Sequence, residues 1–343
     1  MQYPMLLRVV LSLTLCLGSG CSVRPTSQST AHSTEVAQSP PAVSSLALPS
    51  VASPPARATC DGSAFSGAET YANLQRLVAL ERYYGAKGRP QAVQYLQSRL
   101  AATTDRADKQ EFSATETMSG VRYALTNIIG HQNASAKRRE LLASHWDTRL
   151  WAEEDSDRTK RDKPVPYAND GGSGIAVLLE LSRHSTTLKN LGVDYVFFDG
   201  EEFGRPGNSE YCKGSQYFAQ TFEHENLPRP QHAIVLDMVG DADLGIYYEG
   251  TSLQRAPELT KRIWRTAKAL GINAFHPSPK FTILDDHTSL QAIGIPAVLL
   301  IDYDYPYWHT HDDTLDKVSP QSLEAVGRVL LAYLCELDQE ARP

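Results

Sequence analysis

Positive charge, long hydrophobic runs and cysteines are all scarce in this sequence. Its 33 Lys and Arg residues are outnumbered by 40 Asp and Glu residues, which gives a formal net charge of -7 at pH 7. An acidic excess offers no electrostatic case for nucleic acid binding, which favours a basic surface. We therefore expect small molecules or peptides as partners, and no nucleic acid.

The apolar run near the N-terminus is too short for a membrane-spanning helix. It follows Arg8 and ends in the small residues before Cys21, and its length of about a dozen residues falls below the roughly 20 that a span needs. Such a segment is typical of an export signal. We predict an export signal of the lipoprotein type over residues 1–21, with lipidation at Cys21. Simple secretion is the alternative, because Gly18 stands where a lipobox usually has an aliphatic residue.

This signal predicts an exported protein of the bacterial cell envelope, in the periplasm or at the cell surface, with membrane contact only through the lipid. Residues 22–59 are rich in Ser, Pro, Ala and Thr and carry almost no charge. Such a segment cannot bury enough apolar surface to offset the entropy of ordering, which predicts a disordered tether. Three cysteines remain beyond it, Cys60, Cys212 and Cys335. At most one intramolecular disulfide can form among them, and buried unpaired thiols are the alternative.

Residues 60–343 are predicted to form one α/β domain. The chain of 343 residues is 41% hydrophobic, so it can bury a sizeable core. Early strand-like segments joined by short turns suggest an antiparallel edge, and from Gly172 onward apolar strands alternate with helices. We predict a mixed, mostly parallel central sheet covered by helices on both faces. The predicted helices are 68–84, 90–102, 173–183, 215–221, 257–270 and 320–337, and the predicted strands are 110–117, 123–129, 140–144, 193–198, 232–238 and 297–301.

Two adjacent carboxylates, Glu201 and Glu202, follow one of these apolar strands. Adjacent side chains leave a strand end in different directions, so one glutamate can bind a metal ion while its neighbour acts as a general acid/base. Most such pairs are solvated surface charge, so the pair alone is weak evidence. Other candidate ligands, which also lie at the ends of apolar runs, are His145, Asp147, Asp170, Asp237 and His309. Because strand ends meet at one edge of an open α/β sheet, the set predicts a metallohydrolase or a related transferase.

The ordered set of motifs resembles the zinc-dependent M28 peptidase superfamily. It comprises His145-x-Asp147, Asn169-Asp170-Gly171, Phe198-Asp199-Gly200-Glu201-Glu202, Leu236-Asp237 and Trp308-His309-Thr310. Within the superfamily the chain most resembles the glutaminyl cyclases, because Asp285-Asp286-His287 and the Trp308 before His309 are typical of that branch. The Gly-rich segment after Asp170 is equally typical of the aminopeptidases. The loop after Glu202 lacks the tryptophan of animal cyclases.

The resemblance implies one zinc ion bound by Asp170, Glu202 and His309, with a fourth position open to water or substrate. His145 and Asp237 are the positions that hold a second metal ion in the dinuclear aminopeptidases. Both are present in this sequence. A second ion is therefore an open alternative.

The resemblance also implies roles around the metal. Glu201 would be the general acid/base, Asp237 and Asp286 would hold it through a hydrogen-bond network, and Trp308 would form a wall of the substrate pocket. The implied reaction converts an N-terminal glutamine of a peptide to pyroglutamate and releases ammonia. The alternatives are an M28 aminopeptidase, in which Glu201 activates a water, and a catalytically inactive surface binding lipoprotein.

Overall fold

Six strands form the central sheet of this protein. The computed structural model describes residues 61–208, 210–224 and 229–341. Within these ranges two further strands, Ile246–Glu249 and Phe275–Phe281, form a separate small parallel sheet. In chain order the strands are β1 Arg106–Thr115, β2 Arg122–Gln132, β3 Arg138–His145, β4 Leu191–Phe198, β5 His232–Asp237, β6 Ile246–Glu249, β7 Phe275–Phe281 and β8 Ala297–Ile301.

The strand order in the central sheet is β1-β2-β4-β3-β5-β8. The pairs β1/β2 and β2/β4 are antiparallel, with Ile128 opposite Phe197 in the second pair. The pairs β4/β3, β3/β5 and β5/β8 are parallel, with Ala143 opposite both Val196 and Val235. The sheet is therefore mixed and mostly parallel, with an antiparallel edge, as the sequence predicts.

Eight α-helices of the described residues surround the sheet. Ser66 begins the first by accepting a hydrogen bond from the backbone N–H of Glu69, and Ser319 begins the last by accepting from Gln321 and Ser322. Short polar side chains are preferred at this position because they satisfy backbone donors that have no partner inside the helix. The helices are α1 Gly67–Val78, α2 Arg89–Ala101, α3 Gly172–Ser185, α4 Lys213–Thr221, α5 Gly250–Arg255, α6 Pro257–Ala269, α7 Asp286–Ala292 and α8 Pro320–Glu340.

Both faces of the sheet are buried against helices. Alternate residues of each strand point to opposite faces, so Leu142 packs in the cluster that contains α1, α3 and α8, whereas Leu141 packs with Phe218 of α4 and Leu290 of α7. Burial on both faces explains why β4 is mostly apolar, with Asp194 as its one charged residue, rather than alternating between polar and apolar residues. The predicted α/β architecture with helices on both faces is confirmed.

The helix predicted over residues 68–84 ends earlier, at Val78. Beyond it, Tyr83 forms a β-bridge with Thr148, and the buried Arg82 donates hydrogen bonds to the carbonyls of Trp146 and Tyr167. These tertiary contacts replace the last turns of the predicted helix. The sequence prediction also omits β6, β7, α5 and α7.

The predictions for the export signal at residues 1–21, lipidation at Cys21, the tether at residues 22–59 and pairing of Cys60 lie outside the described residues. Cys335 is disulfide-bonded, whereas Cys212 is a free, buried thiol. Within the described ranges, no helix combines the length and apolar character that a membrane crossing requires.

Candidate metal centre and active site

The carboxyl ends of the parallel strands bring the predicted ligands together. His145 is the last residue of β3, Asp237 is the last residue of β5, and Glu202 lies just beyond β4. Within the described residues, two buried groups have ligand atoms that lie within 4.8 Å of one another. They are His145, Asp170 and Asp237, and Asp170, Glu202 and His309.

The turn after β4 separates the two glutamates. Gly200 has a φ of +75°, and residues 201–203 form a single 3₁₀ turn. The Asp147 carboxylate accepts hydrogen bonds from the backbone N–H groups of Glu201 at 3.2 Å and Glu202 at 3.1 Å. The backbone N–H of Cys212 donates to the Glu201 carbonyl at 3.0 Å. The turn is thus fixed by its neighbours on both sides.

Asp170 is held at the start of α3 by its backbone. The Asp313 carboxylate accepts from the backbone N–H groups of Asn169 at 2.9 Å and Asp170 at 3.2 Å. The next residue, Gly171, has a φ of +62° and donates its N–H to Asp237 Oδ1 at 3.0 Å. This conformation, which favours glycine, lets the turn carry Asp170 into the centre of the site.

The His145 ring lies between the carboxylates of the first group. Its Nε2 is 3.1 Å from Asp170 Oδ1 and 3.2 Å from Asp237 Oδ1, and its Nδ1 is 3.6 Å from Asp147 Oδ1. Burial alone would lower the pKa of His145, but the surrounding carboxylates raise it well above its usual value.

The second group joins Glu202 and His309. Glu202 Oε1 is 3.1 Å from His309 Nε2 and accepts a hydrogen bond from the Tyr167 hydroxyl at 2.9 Å. The other ring nitrogen of His309, Nδ1, is 2.9 Å from Glu153 Oε1. His311 belongs to neither group, and its backbone N–H donates to Asp155 Oδ2 at 3.0 Å.

The site concentrates negative charge in a buried volume. Burial, reinforced by Glu202 and Asp237, raises the pKa of Asp170 well above its usual value, and burial with Glu202 does the same for the pKa of Glu201. Burial also opposes ionisation of Glu202, but His309 and Arg149 hold the pKa of that carboxyl well below its usual range. Several buried carboxylates around two imidazoles are the environment in which a bound cation is stabilising.

One unsatisfied atom supports a metal at this site. Asp170 Oδ2 is buried without a hydrogen-bond partner, which costs free energy unless another group satisfies it. Imidazole nitrogens and carboxylate oxygens are ligands that Zn²⁺ accepts. The residues present therefore fit a metal ion, and each of the two groups could hold one.

A cavity of about 360 Å³ opens beside the second group. Trp308 lies on its wall, stacked on the His309 ring with centroids 3.8 Å apart and near Tyr303 at 5.7 Å. Glu201 and Asp237 also face the cavity. Acidic groups thus line one part of the cavity and aromatic and aliphatic side chains the rest.

The structure places Asp285, not Asp286, on the cavity wall. Asp285 is the residue that precedes α7, and it caps the helix by accepting from the Asp286 backbone N–H. Asp286 is the first residue of α7 and is fully buried, with both carboxylate oxygens lacking a hydrogen-bond partner. Burial raises the pKa of Asp286 to about 7. Asp286 thus lies behind the cavity wall next to Asp285, and the network role expected of it stays a prediction.

The motifs give no signal for three further residues of the site. Arg149, Glu153 and Tyr211 contact the ligands or the cavity but stand outside every motif used above. Arg149 and Glu153 follow His145-x-Asp147 within eight residues, so proximity to that motif is the one available hint. Tyr211 lines the cavity at the end of the loop after Glu202, which is the loop that lacks the tryptophan of animal cyclases.

Comparison with known proteins agrees with this geometry. The model of peptidase family M28 matches residues 127–334. The chain is 26% identical to a bovine glutaminyl-peptide cyclotransferase, covering 82% of this chain and 84% of that protein.

The solved structures that match this fold include both glutaminyl cyclases and an aminopeptidase precursor. The glutaminyl cyclase of Fimbriiglobus ruber is 34% identical with a TM-score of 0.74, over 78% of this chain and 94% of the other. A leucine aminopeptidase precursor from Bacteroides thetaiotaomicron is 31% identical with a TM-score of 0.75, over 78% and 96%. This protein is glutaminyl cyclase-like and belongs to peptidase family M28.

Proposed function

We propose that this protein is a zinc-dependent glutaminyl-peptide cyclotransferase, which converts the N-terminal glutamine of peptides to pyroglutamate and releases ammonia. The observation that carries the proposal is the shared cavity. Glu201, Asp237 and Asp285 line the same aromatic-walled cavity that borders the group of Asp170, Glu202 and His309. Its volume of about 360 Å³ is near the lower end for small-molecule pockets, so it suits one terminal residue.

In this proposal Asp170, Glu202 and His309 hold one zinc ion, which when bound supplies Lewis-acid polarisation of the side-chain amide carbonyl of the substrate. Glu201 is the neighbouring carboxylate that faces the cavity. It accepts a proton from the peptide α-amine as that nitrogen bonds to the amide carbon, and it returns the proton to the departing nitrogen.

The bonds formed and broken in this reaction balance. One C–N bond forms to close the five-membered lactam, one C–N bond breaks, and ammonia leaves. The attacking amine and the amide belong to the same residue, so no external nucleophile has to be positioned. Asp237 and Asp285 lie on the cavity wall, where they can hold the amine near Glu201.

An aminopeptidase is the second candidate, and a specific observation favours it. The group of His145, Asp170 and Asp237 is also assembled, with its ligand atoms within 4.8 Å of one another. Two adjacent groups that share Asp170 could hold two metal ions, an arrangement that aminopeptidases use for hydrolysis. In that case Glu201 would take a proton from the attacking water.

The test is to incubate the zinc-loaded protein separately with a peptide that begins with Gln and a peptide that begins with Leu. Mass spectrometry should show loss of ammonia from the first peptide, with the second unchanged. Glu201→Gln should abolish that loss. Glu258→Gln, an exposed substitution of the same kind on α6, is the matched control and should leave it unchanged. Release of Leu from the second peptide would instead establish the aminopeptidase.

A further inference from the structure

One arginine side chain connects the metal-holding group to the wall of the cavity. Arg149 lies in the segment after β3, and its side chain is fully buried. Its guanidinium donates to Glu202 Oε2 at 3.0 Å and to the Gly204 carbonyl at 2.9 Å. It also donates to the Tyr211 hydroxyl at 3.2 Å and to Glu153 Oε2 at 2.8 Å. The reaction proposed above assigns no role to Arg149 itself.

The contacts of Arg149 orient two of the three ligands. Glu202 has one oxygen bound by Arg149, which leaves Oε1 facing His309 Nε2. His309 has Nδ1 next to Glu153 Oε1 at 2.9 Å, and both carboxylate oxygens of Glu153 contact Arg149. The outward-facing atoms of both ligands are therefore anchored to the same guanidinium. Glu202 Oε2 contacts it directly, and His309 Nδ1 contacts it through Glu153. Such outer contacts fix the orientation of metal ligands.

The same guanidinium also fixes the loop that forms part of the cavity wall. Gly204 follows the turn that carries Glu202, and Tyr211 lies at the other end of that loop and faces the cavity. The Arg149 guanidinium also lies 5.3 Å from the centre of the Tyr211 ring. A single side chain thus contacts both ends of the loop.

We propose that Arg149 is a positioning residue that sets both the zinc affinity of the Asp170, Glu202 and His309 group and the position of Tyr211 in the cavity. The inference rests on the metal site of the proposed function, but not on which peptide reaction the site performs. Arginine is required because its planar fork offers five donors in fixed directions, whereas a lysine ammonium is a single point. A lysine cannot reach Glu202, Glu153 and Tyr211 together.

The experiment measures zinc affinity by competition with a chromophoric chelator, and kcat and KM with the substrate peptide. Arg149→Lys should weaken zinc binding about 10- to 100-fold and raise KM. Glu153→Gln should weaken zinc binding but leave KM at saturating zinc unchanged, because the contacts of Arg149 to Gly204 and Tyr211 remain. Tyr211→Phe should raise KM by roughly 5-fold, the worth of one net hydrogen bond, with unchanged zinc affinity.

Arg262→Lys is the matched control. Arg262 joins carboxylates of α8, Glu336 and Glu340, and its replacement should leave zinc affinity and KM unchanged. Circular dichroism of the metal-free proteins checks folding. If Arg149→Lys does not fold, the other two variants still test the inference. Glu153→Gln should change zinc affinity but not KM, and Tyr211→Phe should change KM but not zinc affinity.

Wild-type zinc affinity in folded Arg149→Lys or in Glu153→Gln would overturn the inference, as would a wild-type protein that binds no zinc. If the zinc affinities change as expected while neither the Gln nor the Leu peptide reacts, this inference stands and the proposed function fails.

Discussion

Gly171→Ala is expected to destabilise the protein and to displace the His145 ring. Gly171 has a φ of +62° and is buried between Asp170 and α3. A Cβ atom at this position would lie 2.4 Å from His145 Cε1, 2.6 Å from Nδ1 and 2.7 Å from Nε2. The ring cannot move freely, because Asp170 and Asp237 contact its Nε2. Both the backbone and the packing therefore resist the added methyl group.

The two costs can be estimated separately. A non-glycine residue in a left-handed conformation costs about 1–2 kcal/mol, and overpacking of a buried site typically costs about 1–3 kcal/mol. Together they predict a loss of about 2–5 kcal/mol in the free energy of unfolding. Such a loss is a large fraction of the roughly 5–15 kcal/mol that stabilises a typical domain.

Gly271→Ala is the control that separates these costs. Gly271 follows α6, is exposed and has a φ of +69°, and an added Cβ would meet no atom within 4 Å. Its replacement should cost only the conformational part, about 1–2 kcal/mol. Urea denaturation of the metal-free variants, followed by circular dichroism, gives both values. If Gly171→Ala is no more destabilising than Gly271→Ala, the clash with His145 is not real and the described geometry of this turn is wrong.

Three further predictions follow from individual contacts. Asp194→Asn should cost about 3–5 kcal/mol at pH 7, because it leaves the buried Arg139 without its carboxylate partner. Burial opposes ionisation of Asp194, but hydrogen bonds from His131 and Arg139 hold its pKa below the usual value. The stabilisation that the Asp194 carboxylate gives the folded state should therefore be present above about pH 4 and be lost as the pH falls through its lowered folded pKa. Urea titrations of wild type and variant at several pH values measure this. The same pH dependence in both proteins would refute it. Asp285→Asn should lower kcat by about 100-fold or more, and more than Asp286→Asn does. The reverse order in steady-state kinetics would refute this and support the role expected of Asp286. Trp308→Ala should raise KM for the peptide, because Trp308 forms the cavity wall, and an unchanged KM would exclude contact with the substrate.

Much of the fold can be predicted from hydrophobic patterns. The buried strands β4, β5 and β8 are mostly apolar, and β3 is apolar at residues 141–143, so their existence and parallel pairing follow from the alternation with helices. The segment 275–281 could not be predicted, because its two prolines are typical of a loop. In the structure it forms β7, which within the described residues pairs with the four residues of β6 alone and has an irregular register. An edge pairing of this kind tolerates proline and leaves no periodic signal.

The sequence predicts the ligands of the candidate site better than it predicts the residues of the cavity wall. Its ligands belong to motifs, and the structure brings Asp170, Glu202 and His309 together as expected. Which of two adjacent aspartates faces the cavity depends on where α7 begins, and a helix start cannot be located to one residue from sequence alone. Asp285 is the extended residue before the helix, so its neighbour Asp286 turns inward.

The topology explains why distant motifs form one site. The ligands leave β4, β3, β5 and the segment after β8, and these strands are neighbours in the order β4-β3-β5-β8 with parallel pairing. Their carboxyl ends therefore meet at one edge, where the start of α3 supplies Asp170 between the two groups. Because Asp170 belongs to both groups, a change that moves it should alter both. The candidate metal ligands thus lie at the edge of the sheet, whereas much of the cavity wall comes from loops, including residues 282–285 before α7.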